Sequence, residues 1–175
     1  MNYIRVHKSS NYDFTMILNK DTADKKLRRM ALEVAERNDE TGEIILIGIR
    51  ENGIFIARKM AIYLAETFPG KIDVLELWMD KKKPSEIKLS KDMDFNQKTI
   101  LLVDDVANSG RTMMYAMKPL LQFLPKQIQT LALVERTYKQ FPVAVDYVGL
   151  SVATTQQETI VVEVKDGEVE GAWVK

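Results

Sequence analysis

Two adjacent carboxylates, Asp104 and Asp105, close an apolar run, and a short polar loop follows at residues 108–112. Gly110 lets the loop backbone approach a ligand closely and adopt a positive φ. The loop leads into a predicted helix, so its amides can point together at an anion, helped by the helix dipole. The sequence therefore predicts a phosphate-binding loop formed by Asn108, Ser109, Gly110, Arg111 and Thr112.

Carboxylates beside a phosphate site repel the phosphate unless they meet a group that needs hydrogen-bond acceptors. A sugar diol and a divalent cation are two such groups, and a sugar phosphate satisfies the loop and the acids together. The alternative is that Asp104 and Asp105 form a solvated strand end beside a plain turn. The patterns Gly-x-x-x-x-Gly-Lys and Gly-x-Gly-x-x-Gly do not occur, so nucleoside-triphosphatase and dinucleotide sites have no support.

A second loop, made of Arg50, Glu51, Asn52 and Gly53, follows a short apolar run at residues 43–49. That run suits a buried parallel strand, and a helix is expected after the loop. The loop is either an ordinary connection or a second anion site in which Arg50 supplies positive charge. Two such loops on one sheet suit a ligand with a phosphate at one end and a pyrophosphate at the other.

Helical spacing of apolar residues predicts three helices around these loops. They cover residues 21–38, residues 53 to about 66, and residues 111 to about 124, where Pro119 should kink or interrupt the helix. The apolar face of the first helix consists of Ala23, Leu27, Met30, Ala31 and Val34.

Strand patterns alternate with these helices. They occur at residues 43–49, 72–79, 99–103, 128–135 and 145–152. Residues 159–164 and 169–174 flank an Asp166-Gly167 turn and predict a hairpin. The chain is therefore predicted to be an α/β protein, with a mostly parallel sheet flanked by helices and a C-terminal β-hairpin. Its length predicts one domain over residues 1–175.

The stretch from Asp80 to Lys98 is polar and contains six lysines. A long connection without structure is often functional, so the stretch is predicted to be a mobile cationic lid. The competing interpretation is an ordinary solvated face.

Composition excludes several kinds of site. The chain has no cysteine and one histidine, His7, so thiolate chemistry, Ser-His catalysis and His-ligated metal sites are not expected. The 25 basic and 25 acidic residues cancel, so no overall field attracts nucleic acid or membrane. Because the sequence contains neither a signal peptide nor a membrane-spanning run, we expect a soluble, cytoplasmic protein.

The run Val103-Asp104-Asp105-Val106-Ala107-Asn108-Ser109-Gly110-Arg111-Thr112 resembles the phosphoribosyl-pyrophosphate motif of type I phosphoribosyltransferases. Residues 47–54, 128–136 and 146–149 are similar to the pyrimidine-operon attenuation regulators within that family, which have uracil phosphoribosyltransferase activity. The likeness runs from about Thr15 to Val164. It is weakest in the loops.

This resemblance implies transfer of ribose 5-phosphate from phosphoribosyl pyrophosphate to a nucleobase, with Mg²⁺ bridging the pyrophosphate and the sugar. It implies that Asp104 and Asp105 hold the ribose and are catalytic. Residues 108–112 would bind the 5′-phosphate and residues 50–53 the pyrophosphate. Tyr147 and Val148 would contact the nucleobase.

Asn108 bears on the choice of base. Purine members similar to hypoxanthine phosphoribosyltransferase carry an aspartate there as a base for the purine ring, and asparagine cannot accept that proton. A pyrimidine base or a regulatory role is therefore favoured, and the resemblance makes uracil the expected base.

Two alternatives to a uracil enzyme stay open. One is a nucleotide-sensing, RNA-binding regulator of pyrimidine genes, with Lys25, Lys26, Arg28 and Arg29 as a basic patch, although the overall neutrality of the chain argues against it. The other is a partner-binding protein with a vestigial site. A homo-oligomer is expected by analogy with relatives.

Overall fold

The structure, a computed structural model, describes residues 14–80, 84, 86–155 and 157–175. His7 and the run Lys81–Lys83 of the predicted lid lie outside the described residues. The strands are β1 Thr15–Asn19, β2 Glu43–Ile49, β3 Lys71–Met79, β4 Ile87–Leu89, β5 Thr99–Ala107, β6 Gln127–Arg136, β7 Tyr147–Val152, β8 Ile160–Lys165 and β9 Glu168–Val174. The helices are α1 Lys20–Arg37, α2 Gly53–Leu64 and α3 Arg111–Ala116.

The larger sheet has six strands in the order β4-β3-β2-β5-β6-β7. Every neighbouring pair is parallel except β3 with β4, which is antiparallel. The central strands β2 and β5 are buried almost throughout, as their continuous apolar runs require. This arrangement confirms the predicted α/β class and the mostly parallel sheet.

The smaller sheet is antiparallel and has the order β1-β9-β8. Strands β8 and β9 form the predicted C-terminal hairpin, with Asp166 and Gly167 both at positive φ in its turn. Strand β1 pairs with β9 and was absent from the sequence-based prediction. Its partner lies at the other end of the chain, so no local pattern indicates the pairing.

Two apolar cores lie on opposite faces of the larger sheet. Alternate residues of β2 divide between them, so that Ile44 and Leu46 face α1 and α2, whereas Ile45 and Ile47 face the α3 side. All five residues of the predicted apolar face of α1 are buried. Full burial of a side chain of this size stabilises the fold by about 1.5–3 kcal/mol.

Three predicted elements differ from the structure. Strand β5 continues to Ala107 instead of ending at Val103, because β6 supplies pairing partners over that distance. Helix α3 ends at Ala116, before Pro119. Proline has no backbone N–H to donate, and its ring clashes with the carbonyl four residues earlier, so the helix does not continue through it. Within 80–98 the prediction of a structureless connection is wrong for residues 87–89, which form β4.

The anchored part of 87–98 has two points of attachment. Strand β4 pairs with β3, and Phe95 is buried with its ring edge-to-face against Phe123, the two ring centroids being 5.4 Å apart. The mobile cationic lid expected within residues 80–98 stays a prediction. Across the described residues, no helix is both long and apolar enough to cross a membrane.

Gly48 allows α2 to begin directly above β2. A Cβ at Gly48 would lie 2.4 Å from the Cα of Ile54 and 2.8 Å from its backbone nitrogen. Because those atoms belong to the backbone, we expect Gly48→Ala to lower the free energy of unfolding by about 1–3 kcal/mol in urea denaturation. A Cβ at Gly42 meets nothing within 4 Å, so Gly42→Ala is the matched control. Equal losses in the two variants would contradict this account.

Glu43 joins three neighbouring strands, since its carboxylate accepts hydrogen bonds from Lys98, which immediately precedes β5, and from Lys71 on β3. These two bonds, with Lys98 the larger contributor, lower the pKa of Glu43 to about 2. A carboxyl whose folded pKa is depressed adds stability above its unfolded pKa and loses it as the pH falls through the folded pKa.

We therefore expect Glu43→Gln to cost up to about 1 kcal/mol at pH 7, since the ion pairs are partly solvated. The difference from the unmodified protein should shrink as the pH falls toward 2. Urea unfolding at pH 7, 4 and 2 measures it, and a difference that stays constant with pH would refute the linkage.

Candidate active site

Strand β5 carries Asp104 and Asp105 past the last residue that pairs with β2. Pairing between β2 and β5 ends at Gly48 with Val103, whereas pairing between β5 and β6 continues to Ala107 with Glu135. The two acids thus lie where β5 is paired on one side only. Their exposed fractions are 1% and 9%, so both carboxyl groups need partners inside the protein.

Asp105 is held by the backbone and by the first loop. Its Oδ1 accepts from the backbone N–H of Val106 at 2.9 Å, and its Oδ2 accepts from Asn52 Nδ2 at 2.9 Å. The same Asn52 amide nitrogen donates to the carbonyl of Val162 in β8 at 3.0 Å. Asn52 therefore links the first loop, the acidic strand and the smaller sheet.

The first loop lies against β5 because Gly53 has no side chain. A Cβ there would be 2.5 Å from the carbonyl oxygen of Val103 and 3.1 Å from the Cα of Asp104. The preceding peptide, between Arg50 and Glu51, is cis. Arg50 itself is exposed, with its Nε 3.8 Å from Glu76 Oε1, so its positive charge is accessible from solvent.

The second loop has the geometry expected of residues 108–112. Gly110 has a φ of 81° and immediately precedes α3. Glycine adopts this left-handed conformation without the steric cost that a side chain would add. The carbonyl of Ser109 accepts from the backbone N–H groups of Gln140 and Phe141, each at 3.0 Å. The Ser109 hydroxyl accepts from the backbone N–H of Arg111 at 3.3 Å. These bonds hold Ser109 against residues 140–141 on one side and against the start of α3 on the other.

Arg136, at the carboxyl end of β6, was not predicted as a site residue. Its NH1 donates to Asn108 Oδ1 at 3.1 Å, and its NH2 donates to the carbonyls of Thr155 and Glu158. The backbone N–H of Thr155 donates to Glu158 at 2.6 Å, which lowers the pKa of that carboxyl. Arg136 thus fastens the segment after β7 to the second loop.

A cleft of about 570 Å³ opens between the second loop and this segment. Its lining residues are Asn108, Ser109, Arg136, Tyr138, Gln140, Thr154 and Thr155. A polar residue at the carboxyl end of a parallel strand is the signal that could have revealed Arg136, because ligands bind at that edge.

The structure does not bring Tyr147 and Val148 to this edge, which corrects their expected contact with a nucleobase. Tyr147 is fully buried beneath α1, where Asn38 donates to its hydroxyl at 3.3 Å and burial raises the pKa of its phenol. The carbonyl of Val148 accepts from Arg29. Both residues begin β7, at the end of the strand remote from the cleft.

The protein groups near the acids do not form a complete metal cage. Within the described ranges, no three His, Asp or Glu side chains come together as metal ligands. A cation here would need most of its oxygen ligands from a bound molecule or from water.

A family model described as the phosphoribosyl transferase domain matches residues 13–166 of this sequence. The chain belongs to the phosphoribosyltransferase family. The predicted resemblance is confirmed. In this chain the first loop follows β2, the acidic pair lies in β5 and the second loop follows β5, and these two strands are neighbours in one sheet.

Two curated relatives match most of the chain, and the name of the second refers to regulation. The Bifunctional protein PyrR of Pediococcus pentosaceus is 34% identical over 152 residues, which cover 80% of this chain and 86% of the relative. The Pyrimidine operon regulatory protein of Lactococcus lactis is 30% identical over 155 residues, covering 86% and 90%.

A solved phosphoribosyltransferase structure shares the fold. The hypoxanthine phosphoribosyltransferase of Trypanosoma cruzi aligns with a TM-score of 0.74, covers 91% of this chain and 94% of its own, and is 14% identical. At that identity the likeness establishes the fold and nothing about the base.

Asn52 donates to two acceptors at once, so its replacement by a carboxylate tests the link from the first loop to β5 and β8. Asn52→Asp would place oxygen against Asp105 Oδ2 and the Val162 carbonyl. We expect a loss of about 2–3 kcal/mol in urea unfolding at pH 7, because two buried acceptors lose their donor. Asn52→Ala should cost less, since it adds no charge. Equal stability of Asn52→Asp and the unmodified protein would exclude the link.

Proposed function

We propose that this chain transfers ribose 5-phosphate from phosphoribosyl pyrophosphate to a nucleobase, with uracil as the base and UMP and pyrophosphate as products. The observation that carries the proposal is the hydrogen bond from Asn52 to Asp105. It joins the first loop to the acidic strand, three residues before the second loop. One ligand can therefore contact both loops and the acids.

Each part of the site has a role in this proposal. Asp104 and Asp105 hold the ribose hydroxyls, since buried carboxylates accept hydrogen bonds from a diol. The loop of residues 108–112 binds the 5′-phosphate through its amides and hydroxyls. Residues 50–53 bind the pyrophosphate, toward which the exposed Arg50 supplies positive charge.

Magnesium fits this site as a companion of the substrate. Mg²⁺ commonly binds through one or two carboxylates together with substrate phosphates and water, and the acidic pair offers two carboxylates. Bound there, the ion would neutralise charge on the departing pyrophosphate. Asp104 and Asp105 would be the groups that hold it.

The reaction forms one bond and breaks one bond at the anomeric carbon. A ring nitrogen of the base bonds to that carbon, while the bond to pyrophosphate breaks and pyrophosphate leaves with the electron pair. The ring proton passes to solvent. Positive charge develops on the sugar during this displacement, and the nearby carboxylates of Asp104 and Asp105 stabilise it.

Uracil is supported by the relatives and by Asn108. One relative's name refers to the pyrimidine operon. An asparagine side chain does not take up a proton at neutral pH, so it does not serve as a base for a purine ring. We also propose, by analogy with relatives, that this protein forms a homo-oligomer.

A nucleotide-sensing regulator is the second candidate, and the name of the Lactococcus lactis relative, Pyrimidine operon regulatory protein, favours it. An RNA site would need free basic side chains. In α1, however, Lys26 donates to the Gly149 carbonyl, Arg28 pairs with Glu66, and Arg29 pairs with Glu33. These contacts make the predicted basic patch less available, so we favour the enzyme.

Pyrophosphate release from phosphoribosyl pyrophosphate and Mg²⁺ tests the proposal, with uracil, orotate, hypoxanthine, guanine and adenine supplied in turn. We expect release with uracil alone. Asp105→Asn should reduce kcat/KM by at least a hundredfold, because it removes charge where the transition state needs it. Both carboxylate oxygens accept from N–H donors, so the new amide nitrogen faces one of them, and we expect a smaller loss of about 1–2 kcal/mol in urea unfolding.

The other outcomes separate the alternatives. Brisk turnover of a purine would overturn the choice of uracil, and full activity of Asp105→Asn would remove the catalytic role of that residue. Binding of UMP without turnover of any base, together with salt-sensitive binding of a pyrimidine-gene leader RNA, would support the regulator.

A further inference from the structure

The Arg136 guanidinium determines which way the Asn108 carboxamide points. A guanidinium has hydrogen-bond donors and no acceptor, so the Asn108 atom that faces it at 3.1 Å must be the oxygen. The Nδ2 of Asn108 therefore points away from Arg136. Asparagine orientation is commonly ambiguous, but here the partner removes the ambiguity.

Arg136 can hold this orientation because it is itself held. Its other terminal nitrogen donates to the carbonyls of Thr155 and Glu158, and the guanidinium is partly buried at the end of β6. Three acceptors from two separate segments surround one planar group. A lysine, with one nitrogen, cannot reproduce this planar contact with all of them.

Asn108 and Arg136 both line the cleft of about 570 Å³. No described residue accepts a hydrogen bond from Asn108 Nδ2, and Asn108 is only partly buried. The amide is thus available to a molecule in the cleft, to which it presents a donor.

Thr154, on the opposite wall of this cleft, has an unsatisfied polar atom. Its Oγ1 is buried and has no hydrogen-bond partner among the described residues. A buried hydroxyl without a hydrogen-bond partner is unfavourable, and a bound molecule with a polar edge would supply that partner. Its neighbour Thr155 is one of the residues that Arg136 holds.

We propose that Arg136 is a positioning residue that locks Asn108 with its amide N–H groups toward the cleft, and that the cleft consequently selects nucleobases with a carbonyl oxygen beside the reacting nitrogen. The inference rests on the proposed function and states which chemical feature of the base the site recognises. When such a base loses its ring proton, negative charge spreads onto the adjacent carbonyl oxygen. A fixed donor stabilises that charge, whereas a carboxylate at the same position would oppose it.

The test compares two ligands that differ only in the base, UMP and ribose 5-phosphate, by titration calorimetry. The ratio of their affinities isolates the contribution of the base, because both ligands carry the same sugar phosphate. Asn108→Asp keeps the shape of the side chain and leaves an oxygen for Arg136, but it turns the cleft-facing donor into an acceptor. We expect this variant to reduce the ratio at least tenfold.

Arg136→Met should reduce the ratio at least fivefold, since the carboxamide can then rotate. Arg136→Lys should reduce the ratio less than Arg136→Met does, because a lysine can still donate to the Asn108 oxygen although it cannot contact all three acceptors. Arg58→Met is the matched control, as the exposed Arg58 lies over the ring of Phe55 and makes no hydrogen bond or ion pair with a described residue. If Arg136→Met fails to fold, Asn108→Asp decides the question alone.

Two failures are distinguishable. If the unmodified protein binds neither ligand, the proposed function fails and the inference fails with it. If it binds both, but the ratio is unchanged in Asn108→Asp, or both ligands weaken equally, the inference alone is overturned, because a merely structural role would produce that pattern.

Discussion

The first residue of α2 lies directly against the backbone of β5, and the site depends on that contact. Gly53 leaves no side chain between the helix and the strand, so the loop before it reaches the acidic pair. Only then can the Asn52 amide span both Asp105 and the Val162 carbonyl of the smaller sheet. The absence of a side chain at Gly53 therefore allows the first loop to contact both β5 and the smaller sheet.

The candidate site has one wall on a regular strand, β5, and another on the irregular segment after β7. The carboxylates belong to a buried strand whose backbone is paired with β6, so their positions follow from the sheet. The segment after β7 is irregular and is held instead by the guanidinium of Arg136. Sites on regular elements are more accurately placed than sites on loops, and here an arginine compensates for the irregular wall.

The sequence predicted regular and local features well, because a buried helix face requires apolar residues at helical spacing and a left-handed loop position favours glycine. The apolar face of α1 and the Gly110 loop are examples. Features that arise from contacts between distant residues were missed. Asn108 and Arg136 are separated by 28 positions, and β1 pairs with the far end of the chain.

Tyr147 illustrates another limit of sequence reasoning. Its motif indicates the family, but strand alternation alone does not say which face of the sheet a residue occupies or how far it lies from the functional edge. The register with Leu131 places it beneath α1. The length of β5 was underestimated for a related reason, since a strand continues wherever its neighbour continues to pair.

Strand β7 has a consequence for contacts between molecules. It is the last strand of the larger sheet, and such an edge offers unpaired carbonyls to any extended chain nearby. Here three cationic side chains of α1 occupy carbonyls along or just before it, with Lys26 on Gly149, Arg29 on Val148 and Arg37 on Asp146. An incoming strand would have to displace these charges, so the helix protects the protein against aggregation along this edge.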